Sequence, residues 1–253
     1  MSEMSQKRIE QLEQENESLR ETIRSQELFI RQAMGSYVST EVADAILAQR
    51  ETIAIEGERR TVSILFADIR QSTELSELME PTEYIRLLDH YLDDMIKIID
   101  AWQGNILDFM GDAIIAVFGA PKENEDAARD ALFCAVAMQR RMPAINEWND
   151  AKGYPSISMG IGVHTGEAIV GTIGSETRMK YDVIGRNVNL TARIQGFAHG
   201  GQILATDEAV EAVGSEVIER EDGARWVEPK GIADNVLVHD VIGVGSLLIL
   251  DER

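Results

Sequence analysis

The pattern of apolar and polar positions divides the chain into two regions. Over residues 1–34 apolar side chains recur every three or four positions, the spacing of a helix with one apolar seam. Heptad positions a and d are then filled, in chain order, by Ile9, Leu12, Asn16, Leu19, Ile23, Gln26, Ile30 and Ala33. β-Branched residues at position a with leucine at position d favour a parallel two-stranded coiled coil. We therefore predict a dimerisation helix, with a solitary solvated helix as the alternative.

After Gly35 the heptad pattern stops and a shorter helical pattern runs from Ser39 to Gln49. We predict a transducer helix and linker over residues 35–59. From residue 60 to 243 the spacing alternates between that of strands and that of helices. Residues 244–253 are left as a C-terminal tail.

The second region begins with the order strand, helix, hairpin, helix, strand. The main predicted elements are a strand over Thr61–Asp68, a helix over Pro81–Trp102, a hairpin around Gly111, a helix over Asn124–Asn149, strands over Ser156–Val163 and Ala168–Ile173, and a helix over Asn187–Phe197. This order predicts an α+β fold, a ferredoxin-like split βαβ sandwich with helices covering one side of one sheet.

Charge excludes several classes of partner. The chain has 24 Lys plus Arg against 44 Asp plus Glu, a formal net charge of -20. That field repels nucleic acid and anionic lipid, so we expect neither a nucleic acid nor a membrane as partner. The single cysteine, Cys134, lies in an apolar helical run and is predicted to be buried and inert. Without an apolar leader or membrane span, we expect a cytoplasmic protein.

Two aspartates stand at the ends of apolar strands. Asp68 follows Ile64-Leu65-Phe66-Ala67, and Asp112 lies at the tip of the predicted hairpin. A carboxylate in such a position is costly to desolvate unless a cation neutralises it, and paired carboxylates suit Mg²⁺ in phosphoryl chemistry. The alternative is that each aspartate only caps a turn or helix. His164 has no second metal-ligating neighbour at a suitable spacing and is predicted to be structural.

Four segments together carry a family resemblance. They are Phe66-Ala67-Asp68-Ile69-Arg70, Phe109-Met110-Gly111-Asp112-Ala113-Ile114-Ile115-Ala116-Val117-Phe118-Gly119, Gly160-Ile161-Gly162-Val163-His164-Thr165-Gly166, and Tyr181-Asp182-Val183-Ile184-Gly185-Arg186-Asn187-Val188-Asn189-Leu190-Thr191-Ala192-Arg193. In order and spacing they resemble the class III nucleotidyl cyclase catalytic domain over about residues 60–243. The resemblance implies conversion of a nucleoside triphosphate to a 3′,5′-cyclic nucleotide and pyrophosphate.

The resemblance also implies roles for individual residues. Asp68, Asp112 and the backbone carbonyl of Ile69 would hold two Mg²⁺ or Mn²⁺ ions per site. Asn189 would orient the ribose, and Arg193 would neutralise charge at the α-phosphate. The resemblance also assigns phosphate binding to four residues: Arg70, Gln71, Ser72 and Lys230. In isolation, Asn189 and Arg193 also fit a turn cap and a solvated helix residue.

Base selection in the resembling family depends on two positions that here are Asp108 and Asp182. Adenylate cyclases usually have lysine at the first position and aspartate or threonine at the second. Asp182 therefore fits ATP and Asp108 does not. Guanylate cyclases have glutamate at the first, and Asp108 is a shorter acceptor of that kind. We predict ATP, with GTP or a relaxed specificity as the alternative.

The family resemblance implies a homodimer with head-to-tail catalytic domains, two interfacial sites, and input from either an upstream sensor domain or a separate regulator. Gln71-Ser72 and Arg186 depart from the usual family residues at these positions. A catalytically silent nucleotide-binding signalling module is therefore kept as an alternative function. A dinucleotide-forming cyclase or polymerase palm is the third, although the hairpin does not read Gly-Gly-Asp-Glu.

Overall fold

The computed structural model describes residues 3–35, 42, 56–175, 178–232 and 234–249. The chain divides into two compact units, Met1–Ile53 and Ala54–Arg253. Apart from Val42, the predicted helix Ser39 to Gln49 lies outside the described residues. Of the helices that are described, none combines the length and the apolar character needed to cross a membrane.

The first unit contains helix α1 (Glu3–Gly35), as the heptad pattern predicts. Four seam side chains in its first two thirds are largely exposed: Ile9 43%, Leu12 44%, Leu19 60% and Ile23 53%. A single chain therefore leaves an apolar stripe in contact with solvent. Pairing of this stripe with a second α1 stays a prediction.

The second unit has alternating strands and helices. Its elements are β1 (Glu58–Ile69), α2 (Ser72–Leu78), α3 (Pro81–Ala101), β2 (Asn105–Met110), β3 (Ala113–Phe118), α4 (Ala127–Lys152), β4 (Met159–Ser175), β5 (Arg178–Ile184), α5 (Arg186–Phe197), β6 (Ile203–Thr206), α6 (Asp207–Val213), β7 (Val217–Glu219), β8 (Arg225–Val227), β9 (Val236–Val244) and β10 (Leu247–Leu248). Pro81 begins α3, where proline fits the first turn, and Gly153 ends α4 in a left-handed conformation.

The strands form one sheet with the order β10-β9-β6-β4-β1-β3-β2, and β5 is added alongside β4. The central strand β1 is antiparallel to both β3 and β4, whereas β4 is parallel to β6. This is the mixed sheet of an α+β sandwich, and the predicted fold class is confirmed. The sheet places the end of β1 next to the β2–β3 hairpin, where the two aspartates lie.

Helices lie on both faces of the sheet. The main core contains Leu65 and Ile69 of β1 together with residues of α3 and α4, such as Tyr91 and Leu132. Helix α5 lies on the opposite face. This is seen at Gly162, where an added Cβ atom would come within 2.6 Å of the backbone nitrogen of Gln195 in α5. The expectation that helices cover only one side is therefore wrong in this detail. Only a glycine at 162 lets α5 approach the sheet so closely.

Two segments differ from the predicted elements. The two predicted strands, Ser156–Val163 and Ala168–Ile173, are one strand in the structure. This strand, β4, starts at Met159, so residues 156–158 of the first prediction lie outside it. The sheet also extends past residue 243, because Leu247 and Leu248 pair with the end of β9. Continuous pairing with β1 along its whole length explains why β4 is not interrupted near Gly166.

Candidate active site

Asp68 and Asp112, which are far apart in the sequence, meet at one edge of the sheet. Ala67 of β1 pairs with Ile114 of β3, so the two strands deliver their neighbouring aspartates to the same place. The backbone N–H of Ile69 donates a hydrogen bond to Oδ2 of Asp112 at 3.0 Å. Gly111 has a φ of 69°, a left-handed conformation that glycine adopts without strain. The hairpin therefore holds Asp112 against the end of β1.

The pair carries more negative charge than its surroundings neutralise. Burial and the adjacent Asp112 carboxylate raise the pKa of Asp68 to about 6, against the opposing effect of Arg70. Arg70 Nη2 lies 3.3 Å from Oδ2 of Asp68. Burial, with the charges of both aspartates, also raises the pKa of Tyr84 and Tyr91 on α3. The paired aspartates are therefore an electronegative site that favours a cation.

A divalent cation fits this arrangement. In the part of the chain that the structure describes, no group of three or more His, Cys, Asp or Glu side chains is placed to hold a metal. A cation bound here would be held by the carboxylates of Asp68 and Asp112 and by the backbone carbonyl of Ile69, the residue that follows Asp68. Few protein oxygens with vacant positions for phosphate and water suit Mg²⁺ or Mn²⁺ rather than a closed structural site.

The predicted phosphate-binding residues that follow Ile69 differ in their surroundings. The Arg70 guanidinium folds back, with Nη1 3.4 Å from the carbonyl of Ala198 and Nη2 3.3 Å from the carbonyl of Asp68. Its side chain thus braces Asp68. Gln71 adopts a left-handed conformation, with a φ of 60°, and Ser72 begins α2 without a side-chain cap. A phosphate role for Gln71 and Ser72 through their backbone amides stays a prediction.

The two predicted base-selecting residues lie on strands that do not pair with each other, β2 and β5, and share a lysine. Lys180 Nζ is 2.8 Å from Oδ2 of Asp108 on β2 and 3.2 Å from Oδ2 of Asp182 on β5. The hydrogen bond from Lys180 lowers the pKa of Asp108, despite its partial desolvation. Partial burial acts to lower the pKa of Lys180, but the two carboxylates outweigh it and the pKa is raised. Sequence reasoning missed Lys180, although its spacing from Asp182 places both on one face of β5.

Helix α5 presents the two remaining polar residues. Asn189 and Arg193 are exposed and stand one turn apart, as predicted. They line a groove of about 340 Å³ together with Gly231 and Ile232. A side chain at Gly231 would come within 3.0 Å of Arg193 Nη1, so the loop that carries Lys230 reaches the guanidinium. The structure thus brings the Lys230 loop to Arg193, although the phosphate role of Lys230 stays a prediction.

The paired aspartates (the acidic half) and Asn189 with Arg193 (the polar half) are not linked by side-chain contacts in the part of the chain that the structure describes. Among the hydrogen bonds and ion pairs of the described residues, none joins Asp68 or Asp112 to Asn189 or Arg193. His164 is buried, and its Nδ1 lies 2.8 Å from Oγ1 of Thr206, in line with a structural role. Cys134 is buried and free, as predicted.

The raised pKa of Asp68 predicts that Asp68→Asn stabilises the metal-free protein in a pH-dependent way. A carboxyl whose pKa rises from 3.8 to about 6 on folding lowers the free energy of unfolding as it ionises between those two pH values. Asparagine has no such loss. The side chain is 35% exposed, so after solvent screening we expect the variant to gain roughly 1–2 kcal/mol at pH 7.5.

Urea unfolding of both proteins in the presence of a chelator measures this difference. The gain should shrink as the pH falls towards 4, where the wild-type carboxyl regains its proton. A stability difference that is the same at pH 4.5 and pH 7.5 contradicts the assigned cause.

Comparisons with known proteins identify the family of this chain. The family model described as the adenylate and guanylate cyclase catalytic domain matches residues 56–233. The crystal structure of the guanylyl cyclase Cya2 is 42% identical, with a TM-score of 0.74, over 77% of this chain and 99% of that one. The adenylyl cyclase CyaB from P. aeruginosa is 31% identical, with a TM-score of 0.72, over 77% of this chain and 100% of that one.

Full-length relatives are longer than this chain. Adenylate cyclase of Anabaena cylindrica is 41% identical over 161 residues, which are 60% of this chain and 30% of that protein. Adenylate cyclase 1 of Rhizobium meliloti is 32% identical over 188 residues, 74% of this chain and 28% of that protein. This chain therefore spans about a third or less of the length of each of these two relatives. On its fold, its site geometry and the family model, the chain belongs to the adenylate and guanylate cyclase catalytic domain family.

Proposed function

We propose that the protein is a nucleotidyl cyclase that converts ATP to a 3′,5′-cyclic nucleotide and pyrophosphate. The observation that carries the proposal is the meeting of Asp68 and Asp112, fixed by the hydrogen bond from the Ile69 N–H to Asp112. Two carboxylates that meet at the end of β1, where burial and Asp112 raise the pKa of Asp68, form a place for cations on a triphosphate. Named adenylate cyclases among the relatives add support.

Each side chain has a separate task in this proposal. Two Mg²⁺ or Mn²⁺ ions, held by Asp68, Asp112 and the Ile69 carbonyl, would supply positive charge to the triphosphate. Arg193 neutralises the charge that develops on the α-phosphate, and Asn189 holds the ribose. The 3′-hydroxyl gives up its proton to solvent, and its oxygen forms a bond to the α-phosphorus as the bond to the leaving pyrophosphate breaks.

The terminal phosphates need further positive partners. We assign this contact to Lys230, whose loop reaches Arg193, and to the backbone amides of Gln71 and Ser72. Arg70 acts indirectly in this scheme, because its guanidinium braces the Asp68 carboxylate. In this proposal Lys230, Gln71 and Ser72 contact the phosphates, and Arg70 supports the site through Asp68.

A head-to-tail homodimer completes the site. The acidic half and the polar half are not joined within one chain, and both are open at the surface. The β4–β5 arm exposes apolar side chains that a partner would cover: Ile169 49%, Ile173 38%, Met179 39% and Ile184 51%. We propose that Asp68 and Asp112 of one protomer face Asn189 and Arg193 of the other.

GTP is the second candidate substrate. Asp108 offers acceptor oxygens where a guanine presents N–H donors, and Cya2, a guanylyl cyclase, is 42% identical to this chain. Asp182 favours ATP, because its carboxylate suits the 6-amino group of adenine. The two positions give opposite indications, and the pocket therefore has to be tested with both purines.

One assay tests the proposed function. The protein is incubated with each of the four nucleoside triphosphates and Mg²⁺ or Mn²⁺, and products are identified by mass spectrometry. We expect a cyclic mononucleotide and pyrophosphate, in larger amounts from ATP than from GTP. A protein that binds nucleotide without forming either product is the silent signalling module. A linear or cyclic dinucleotide product identifies the third alternative.

We further propose that α1 pairs with a second α1 as a parallel coiled coil, in the cytoplasm, and passes a signal from a sensor domain or regulator. The double substitution Leu12→Asp and Leu19→Asp places charges in the exposed seam. We expect dimer affinity to fall at least about tenfold in sedimentation equilibrium. Glu21→Gln, at an outer heptad position, is the control. Equal dimer affinity for the seam variant and wild type rejects the coiled coil.

A further inference from the structure

Lys180 lies between the two carboxylates that the resemblance assigns to base selection. Its Nζ contacts Oδ2 of Asp108 at 2.8 Å and Oδ2 of Asp182 at 3.2 Å. The three side chains stay open to solvent in one protomer, with exposed fractions of 45%, 48% and 33% for Lys180, Asp108 and Asp182. A ligand entering from outside can therefore reach the ammonium group.

Both carboxylates are also fixed from behind by their own backbone. Oδ1 of Asp108 accepts the N–H of Phe109 at 2.9 Å, and Oδ1 of Asp182 accepts the N–H of Val183 at 2.8 Å. A lysine ammonium has three N–H donors. Two of them are directed at the carboxylates, so one donor of Lys180 is left for a ligand. The remaining N–H of Lys180 lies beside Asp182 Oδ2, which has a further lone pair that can accept a hydrogen bond.

That combination of one donor and one acceptor matches the edge of adenine. The ring nitrogen N1 accepts a hydrogen bond, and the neighbouring 6-amino group donates one. Without Lys180, Asp108 and Asp182 present only acceptors, which leaves N1 without a partner. The lysine expected at position 108 for an adenine site is absent from the sequence, but Lys180 of β5 brings an ammonium group to the same place.

We propose that Lys180 is the specificity-determining donor to N1 of adenine, with Asp182 accepting from the 6-amino group and Asp108 positioning the ammonium. The proposal rests on the proposed cyclase function and names the substrate as an adenine nucleotide. Asp108 is occupied by Lys180 and by its own backbone, so it is a poor acceptor for the N–H groups of guanine. The apparent conflict between the two selector positions is thereby resolved in favour of ATP.

The test compares ATP with 1-deazaadenosine triphosphate, in which C–H replaces N1. Wild type and Lys180→Met are assayed for kcat/KM and for the Kd of each nucleotide. We expect wild type to prefer ATP by about ten- to hundredfold, since a hydrogen bond to a charged donor is lost with the analogue. In Lys180→Met this preference should fall to about one- to twofold. Lys180→Arg, which keeps a charged donor, should restore part of it.

A purely structural lysine would not change the ratio between two nucleotides that differ at one atom. Lys97→Met is the matched control, because Lys97 is also an exposed lysine paired with an aspartate, 2.5 Å from Asp93 on α3. Asp108→Asn should weaken the preference for ATP over the analogue in the same direction as Lys180→Met. If Lys180→Met discriminates between the two nucleotides as well as wild type does, the proposal is wrong.

The experiment separates this proposal from the proposed function. A wild-type protein that forms no cyclic product shows that the cyclase assignment is wrong. The ratio of the two Kd values then decides the role of Lys180 by itself. Loss of that ratio in Lys180→Met supports base reading, and an unchanged ratio excludes it.

Discussion

Replacing Asp112 by asparagine is expected to lower the rate of cyclic nucleotide formation by about three orders of magnitude. Asp112 is one of the two carboxylates that would hold the cations, and removing its charge weakens the positive field on the triphosphate. Asparagine has the same shape and keeps an oxygen that accepts the Ile69 N–H, now 3.0 Å from Asp112. The hairpin should therefore stay folded while activity is lost.

The measurement is the initial rate of pyrophosphate release with ATP and Mn²⁺, together with thermal unfolding of the same preparation. Asp150→Asn is the control, because Asp150 is an exposed aspartate in the last turn of α4. The control should retain activity within about twofold, as expected for a surface site. An Asp112→Asn enzyme with more than a third of wild-type activity would show that this carboxylate is not part of the site.

Each aspartate of the acidic half is predictable from sequence because each has a local signal. Strand alternation ends at Asp68, and the glycine before Asp112 marks a hairpin tip. Antiparallel pairing of β1 with β3 then brings the two ends together. Sequence periodicity finds each strand, and the family resemblance supplies the pairing. The same reasoning placed Asn189 and Arg193 on one helix face.

The role of Arg70 and the contact of Lys180 were not predictable in this way. Lys180 meets Asp108 across 72 positions of sequence, between strands that are not joined by one turn. Arg70 meets the carbonyl of Ala198 across 128 positions. Such contacts depend on the order of strands in the sheet and on which face a helix covers, and periodicity contains neither.

The position of α5 shows the same limit. An amphipathic pattern predicts a helix with one buried face but does not say which side of the sheet it covers. Gly162 makes room for α5 on its face of the sheet, since any side chain there would clash with the backbone of Gln195. The consequence is functional, because α5 on this face presents Asn189 and Arg193 to a groove away from the main core.

Coexpression of an Asp68→Ala chain with an Asn189→Ala chain is expected to restore activity that neither variant has alone. Each half of the site lies on a different part of the protomer, and a head-to-tail dimer joins the acidic half of one chain to the polar half of the other. A mixed dimer then contains one site with both defects and one intact site. In purified mixed dimers, which have one intact site out of two, about half of wild-type activity should return.

Pairing Asp68→Ala with Asp112→Ala is the decisive control, because both substitutions damage the acidic half. Every mixed dimer of these chains has a defect in each of its two sites, so no activity should return. Pyrophosphate release and mass spectrometry of the cyclic product are measured on dimers purified through two different affinity tags. If the first pair stays as inactive as this control, the two halves belong to one chain and the interfacial site must be abandoned, whereas rescue of the first pair alone requires that two protomers share each nucleotide.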